Sequence, residues 1–307
     1  MISFYNNGKK INNIEDNCWI NVLSPTKDEI DYLSKTLNIS KQNLIDSIDE
    51  EEMSRVEIND NYKMTVLDIP SVKNNNKSDI NYTVPLVILN TPNYFVTITN
   101  SKYDIFNEFI NGKYKDIDYM KKSKFTILIF KEISIKYIKD LKLINEKTEK
   151  IEKILYKSTK NKELLKLLDL EKTLVYYKTS LKSNNLVLER ISKGNVIDLY
   201  KEDEYLLEDA ITDHLQAIEM IQIYSDILSG MMNTFASIIS NNLNTVMKFL
   251  TGLTIVISIP TMIASFFGMN IKFGSFADNS FTFIIIVLVS ILLSILLYNI
   301  LKKKNMM

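Results

Sequence analysis

Residues 249–271, "FLTGLTIVISIPTMIASFFGMNI", carry no charged side chain over 23 positions. A second charge-free run of 23, "NSFTFIIIVLVSILLSILLYNIL" at 279–301, follows after seven intervening residues. Each meets the roughly 20-residue length that a helix needs to cross a bilayer's hydrocarbon core. Working outward, everything before Lys248 is rich in Lys, Glu and Asp and soluble in character. The overall figures of 46% apolar and 24% charged residues average over that split. The fold class expected is therefore an α+β cytoplasmic domain, then a long helical stalk, then two C-terminal transmembrane helices.

Charge placement gives an orientation. Lys248 precedes the first run and Lys302, Lys303 and Lys304 follow the second, while the interval holds only Lys272 and Asp278. The positive-inside rule then places both termini in the cytoplasm and the loop outside, in a cell (inner) membrane. The opening "MISFYNNGKKINN" lacks the apolar core of a signal peptide.

Several function classes are disfavoured. Cys18 is the only cysteine and His214 the only histidine, which leaves no intrachain disulfide and no Cys/His zinc site. His214 is read as a helix-surface residue. No Gly-rich phosphate loop occurs, so no nucleotide is expected. Two arginines and zero net charge argue against nucleic-acid binding. No catalytic constellation is present, so the chain does not read as an enzyme. A divalent cation needs no nucleotide to enter a cell, since two charges crossing 100 mV gain about 4.6 kcal/mol.

Residues 1–122 read as the cytoplasmic α/β domain. "WINV", "YKMTVLDI", "TVPLVIL" and "YFVTIT" are strand candidates, the last two joined by a Thr-Pro-Asn turn. "SPTKDEIDYLSKTLNIS" predicts a helix with Ser24 as N-cap and Pro25 first inside. "SVKNNNKSD" reads as a polar loop, and Glu50, Glu51 and Glu52 as solvated surface acids. Residues 123–200 predict a long antiparallel helix pair. Leu141, Ile144, Ile151 and Leu155 fall at heptad spacing in the first helix; Leu167, Leu170, Leu174, Tyr177, Leu181, Leu188 and Ile191 do so in the second. Lys121 to Lys193 holds 19 basic and 9 acidic residues.

The sign then reverses. Lys201 to Thr245 holds eight acids against one lysine and has no proline. A single helix over 201–267, with about 248–267 as its membrane part, would be on the order of 100 Å long. Residues 268–279 form the loop, 280–301 the second span and 302–307 a basic tail.

Two stripes run along the 201–267 helix. Leu207, Ile211, Ile218, Ile221, Leu228, Met232, Phe235 and Ile239 form an apolar one. The other is small or polar almost throughout: Glu219, Ile223, Asp226, Gly230, Asn233, Ser237, Ser240, Asn244, Met247, Thr251, Thr254, Ser258, Thr261 and Ser265. Such residues in a membrane helix ordinarily let helices approach closely. Continuation of the stripe outside the membrane run favours a water-filled axis among several supercoiled copies. Met247 and Leu250 would form a narrow apolar ring there.

Gly268-Met269-Asn270, directly after the first of two C-terminal spans, resembles the signature of the CorA family of magnesium channels. The resemblance extends to "NNLNTVMKFLTGLTIV", to the proline in "SIPTMIASFFGMN", to the terminal "KKK", and to "WINVLSPTKDEIDYL", "EEEMSRVEINDNYKMTVLDIP" and "FVTIT" in the soluble part. It covers nearly the whole chain. It implies a funnel-shaped homopentamer whose first spans line a pore, a passive channel for hydrated Mg²⁺ that also passes Co²⁺ and Ni²⁺. Gly268, Met269 and Asn270 would form the selectivity filter, with amide oxygens of an Asn270 ring meeting the ion through its own waters. Matching positions put Asn244, Leu250, Ser258 and Thr261 along the pore. The family often has a bulky apolar residue where Ser258 stands, and its outer loop commonly carries a glutamate that "IKFGSFADNSF" lacks, with Asp278 the nearest acid.

The resemblance also implies regulatory Mg²⁺ bound between neighbouring cytoplasmic domains, which holds the pore shut. Asp209 lies nearest the family's stalk aspartate, with Glu208 and Asp213 as further candidates. Two alternatives stand beside the channel: a zinc-transporting relative of the same family, and a non-conducting, membrane-anchored coiled-coil sensor or scaffold.

Overall fold

β-branched and aromatic runs build one seven-stranded sheet. In the computed structural model, residues 1–6, 8–72, 81–101, 105–110, 113–114, 118–119, 121–157, 161–194, 196–269 and 281–304 are described. The strands are β1 (Ile2–Asn6), β2 (Lys9–Ile11), β3 (Cys18–Leu23), β4 (Arg55–Ile58), β5 (Lys63–Val72), β6 (Asn81–Asn90) and β7 (Tyr94–Thr99). Their order is β2-β1-β3-β7-β6-β5-β4. Only β3 and β7 pair in parallel; the other pairs are antiparallel. The Thr-Pro-Asn turn between β6 and β7 closes through Thr91, whose amide donates to the Tyr94 carbonyl at 3.1 Å and whose hydroxyl accepts the Tyr94 amide at 3.0 Å. The "SVKNNNKSD" loop lies almost wholly outside the described residues.

One face of the sheet is covered by α1 (Lys27–Leu37) and α2 (Lys41–Ser47). Ile30, Leu33 and Leu37 of α1 and Leu44 of α2 pack on Cys18, Ile20, Val22, Met64, Val66, Val87, Leu89, Val96 and Ile98. Helix α1 starts two residues later than its Ser-Pro signal predicts. Thr26 is the N-cap: its hydroxyl accepts the Glu29 amide at 3.2 Å and the Glu29 carboxylate accepts the Thr26 amide at 2.8 Å. That reciprocal pair outcompetes Ser24, which adopts a left-handed φ of 45° and donates its amide to the Thr99 carbonyl at 2.8 Å.

The rest of the core forms around Trp19, which has no exposed surface. Rings of Tyr5, Phe106, Tyr119 and Phe125 lie 4.9 to 5.2 Å from it, centroid to centroid. Its indole N–H donates to Thr97 Oγ1 at 2.9 Å, and that hydroxyl donates to Asn21 Oδ1 at 3.0 Å. Phe106 adjoins the short helix α3 (Asn107–Ile110), and Phe125 opens α4 (Lys122–Lys157).

Helices α4 and α5 (Asn161–Ser192) share the seam predicted for the helix pair, every heptad residue of which is buried. Asn184 ties α5 to the sheet. β4 begins only at Arg55, opposite Val66, so the next backbone pair of β5 has no β4 partner on that side. The Asn184 amide replaces it, accepting the Asp68 N–H and donating to the Asp68 carbonyl, both at 2.8 Å. Burial pushes the Asp68 carboxyl up to about 6.

One 3₁₀ turn (Lys201–Asp203) leads into the 64-residue α6 (Glu204–Phe267), and α7 (Thr282–Lys303) follows. The chain divides into two compact units, Met1–Met232 and Asn233–Met307, with the division inside α6. In the first unit, α6 runs in the same direction as α4. Ser123 donates to Asp203 at 3.1 Å, Lys131 pairs with Asp209 at 3.1 Å and Ser134 meets His214 at 3.2 Å. In the second unit, α6 and α7 are the two described helices long and apolar enough to cross a membrane.

Candidate functional site

The second unit carries the residues on which transport would depend. Pro260 sits inside α6 and lacks the amide that would bond the Val256 carbonyl. Ser294 of α7 shares its one hydroxyl proton between the Ser290 carbonyl of its own helix at 2.9 Å and, more weakly, the Val256 carbonyl at 3.4 Å. In an apolar span a freed carbonyl needs such a partner. The sequence contained a signal for this contact, a proline within one charge-free run and a serine within the other, but reading each run separately does not pair them.

This hydrogen bond identifies the side of α6 that α7 covers. Gly252 there is buried, and Val256, Ile259 and Ile263 are half-buried. At about 100° per residue, Thr254, Ser258, Thr261 and Ser265 lie roughly opposite. All four are exposed, as are Thr251, Met247 and Leu250. The four together line one open groove of about 700 Å³. Their hydroxyl protons are largely spent on the helix itself: Thr254 donates to Leu250 O at 2.9 Å, Ser258 to Ile255 O at 2.8 Å and Thr261 to Ile257 O at 3.1 Å. Each hydroxyl oxygen is left to accept from water. Further toward the N-terminus of α6, Asn233, Ser240 and Asn244 are likewise exposed.

Helix α6 ends at Phe267 in a tight exit. The Gly268 amide donates to Ala264 O at 2.9 Å, and the Met269 amide to Phe266 O at 3.3 Å. A Cβ added at Gly268 would meet the Ala264 carbonyl at 3.3 Å, closer than backbone oxygen comfortably allows. Met269 is half exposed. Asn270 and Asp278 lie outside the described residues.

The three regulatory candidates sit on α6 within the first unit. Glu208 and Asp209 are exposed and Asp213 is half-buried. Asp209 is already paired with Lys131. Among the described residues, no three His, Cys, Asp or Glu side chains converge to hold a metal. Glu208, Asp209 and Asp213 are acids of the right chemistry for Mg²⁺.

His214 corrects the surface reading of the sequence. It has no exposed surface, its ring stands edge-on to Phe130 at 5.1 Å, and its nitrogens meet Ser134 Oγ at 3.2 Å and the Leu181 carbonyl at 2.9 Å. Burial lowers its pKa to about 4, so it is neutral at pH 7. The bond to a carbonyl requires Nε2 to carry the proton and leaves Nδ1 to accept from Ser134. The apolar stripe is also less uniform than predicted. Leu207, Ile221, Leu228 and Phe235 are buried, Ile211, Ile218 and Met232 are half-buried, and Ile239 is exposed.

Comparison with known proteins is unambiguous about kinship. A family model described as "CorA-like Mg2+ transporter protein" matches residues 15–303. The "Cobalt/magnesium transport protein CorA" of Methanocaldococcus jannaschii is 29% identical over 285 residues, spanning 91% of this chain and 88% of that protein. The "Magnesium transport protein CorA" of Helicobacter pylori strain 26695 is 24% identical over 305 residues, 95% of this chain and 92% of its own. The solved "complete structure of CorA magnesium transporter" from M. jannaschii superposes with a TM-score of 0.82 at 26% identity, covering 98% of this chain and 96% of that one. The match runs through the α/β part, the long helix and both membrane-length helices, and on that basis the chain belongs to the CorA-like Mg²⁺ transporter family.

Proposed function

We propose that five copies of this chain form a passive channel that admits hydrated Mg²⁺ down the membrane potential, with Co²⁺ as a second cargo. The observation that carries this reading is the face of α6 opposite α7, where Thr254, Ser258, Thr261 and Ser265 line one uncovered groove. Turned toward a common axis in several copies, that face is a wall of small oxygen-bearing side chains. Turned toward lipid, the acceptor sites of those hydroxyl oxygens would have nothing to accept from. Kinship with proteins named for magnesium and for cobalt/magnesium transport supplies the cargo.

In this channel Gly268 lets the chain leave α6 without crowding the Ala264 carbonyl, and the Asn270 ring beyond it contacts the ion's water shell. Mg²⁺ gives up water reluctantly, so a filter of neutral amides that leaves the shell in place avoids that barrier and still releases the ion. Met247 and Leu250 form the apolar constriction, and Ser258 makes the pore wider at its own level than an aliphatic residue would. Glu208, Asp209 and Asp213 contribute half of a regulatory Mg²⁺ site that a neighbouring subunit completes. Both termini face the cytoplasm.

Mg²⁺ uptake into liposomes bearing the purified protein tests the reading, with Asn270→Ala as comparison. Uptake driven by an inside-negative potential and lost in the variant is the expected outcome. Equal uptake by both proteins would remove the filter, no uptake by either would favour a non-conducting scaffold, and a preference for Zn²⁺ would favour the zinc-transporting alternative.

A further inference from the structure

The C-terminal end of α7 presents a polar group with no partner among the described residues. Asn299 lies within the second charge-free run, its side chain is exposed, and it makes no hydrogen bond among the described residues. At the edge of the hydrocarbon the two donors of such an amide are satisfied by water or by lipid head-group oxygens. One turn further along the same face is Lys303. Both line a groove of about 520 Å³ whose remaining walls are Leu292, Ile295, Leu296 and Ile300.

The helix geometry fixes which way this groove points. α7 meets α6 through Ser294, with Ser290 and Leu301 buried on that side. At about 100° per residue, Asn299 and Lys303 stand roughly 140° to 200° from those residues, on the far side of α7. The hydroxyl face of α6 is on the far side of α6 in turn. If that hydroxyl face surrounds an axis, the Asn299 groove points radially away from it, toward lipid rather than toward another subunit. This step rests on the channel reading above.

We propose that the groove binds one anionic phospholipid per chain. An acyl chain lies against Leu292, Ile295 and Leu296, the Asn299 amide donates to the glycerol-ester or phosphate oxygens, and the Lys303 ammonium pairs with the phosphate. The charge is complementary. No acid occurs from Asn279 to Met307, while Lys302, Lys303 and Lys304 close the helix. Lys302 is turned back over the Tyr298 ring at 5.9 Å, which leaves Lys303 as the cation of this groove. A zwitterionic lipid presents the same phosphate with its own ammonium beside it and gains less from the lysine.

Native mass spectrometry of the full-length protein, released from micelles containing equal phosphatidylglycerol and phosphatidylcholine, reads the site directly. Wild type should retain phosphatidylglycerol in preference, and Asn299→Leu combined with Lys303→Gln should lower that preference on the order of tenfold. Lys304→Gln, outside the groove, should leave most of it. Equal retention of the two lipids by wild type, or an unchanged preference in the double variant, would overturn the proposal. So would disulfide-linked dimers of an Asn299→Cys variant in a Cys18→Ser background, because they would place the groove between subunits. Lipid retention is read on whatever species flies, so a wild-type preference alongside failed Mg²⁺ uptake would sink the channel and spare the site. The converse result would spare the channel alone.

Discussion

At the scale of single residues, His214 shows how a position can be misjudged from its neighbours. Asp213 and Leu215 beside it suggest a mixed surface, and a lone histidine among acids reads as solvated. The spacing says otherwise. Leu207, Ile221, Leu228 and Phe235 are separated by multiples of seven and all are buried, and the vacant slot between the first two is position 214. A titration follows from that burial. The unfolded chain takes the ordinary pKa of 6.5 and the folded chain about 4, so between those values the unfolded chain binds more protons. The stabilisation is fully present above pH 6.5 and is lost as pH falls toward 4, by on the order of 3 kcal/mol. Asp68 acts in the opposite sense, since its pKa near 6 in the fold exceeds 3.8 in the unfolded chain and so favours folding as pH falls below 6. Denaturant titrations at pH 7 and pH 4 should therefore show wild type losing about 3 kcal/mol more than His214→Gln, with the Asp68 contribution common to both. Parallel losses in the two proteins would mean that His214 is solvated after all.

At the scale of elements, strands and heptads were the most legible features. β3, β5, β6 and β7 each contain a run of β-branched or aromatic residues long enough to stand out, and the α4 and α5 seams repeat over several turns. The short pieces were missed because they carry little pattern of their own: β2 is three residues and β4 four, and both are edge strands placed by their neighbours. The start of α1 was misplaced because Ser24-Pro25 and Thr26-x-x-Glu29 are both legitimate start signals, and only the latter satisfies two amides at once. Asn184 was invisible for a different reason: nothing local to α5 reveals that β4 stops short of Asp68. Asn184→Ala should leave the Asp68 N–H buried without its partner, while the Asp68 carbonyl keeps the Tyr137 hydroxyl at 3.1 Å, and cost about 1–3 kcal/mol, measurable as a lower urea midpoint with an unchanged slope. A cost below about 1 kcal/mol would mean that water replaces the amide at no penalty.

At the scale of the whole molecule, the two charge-free runs and the hydroxyl stripe were legible because bilayer thickness and helix periodicity are simple constraints. What the stripe faces was not legible, because that depends on where α7 lies. The Ser294 contact to the carbonyl freed by Pro260 supplies the missing direction. The proposed regulation belongs to this scale too, since among the described residues no three acids converge to hold Mg²⁺ within one chain. Replacing Glu208, Asp209 and Asp213 by their amides should raise the Mg²⁺ concentration that protects the assembly from protease by about tenfold, within the usual range of allosteric coupling. Protection at unchanged Mg²⁺ would move the regulatory site elsewhere. The central claim, that the α6 face opposite α7 meets water along a common axis, is tested most directly by thiol labelling in liposomes. In a Cys18→Ser background, Ser258→Cys should react rapidly with a charged, water-borne methanethiosulfonate and lose Mg²⁺ uptake as it does so, while Ile263→Cys stays unlabelled. An unreactive Ser258→Cys, with uptake intact, would contradict the account.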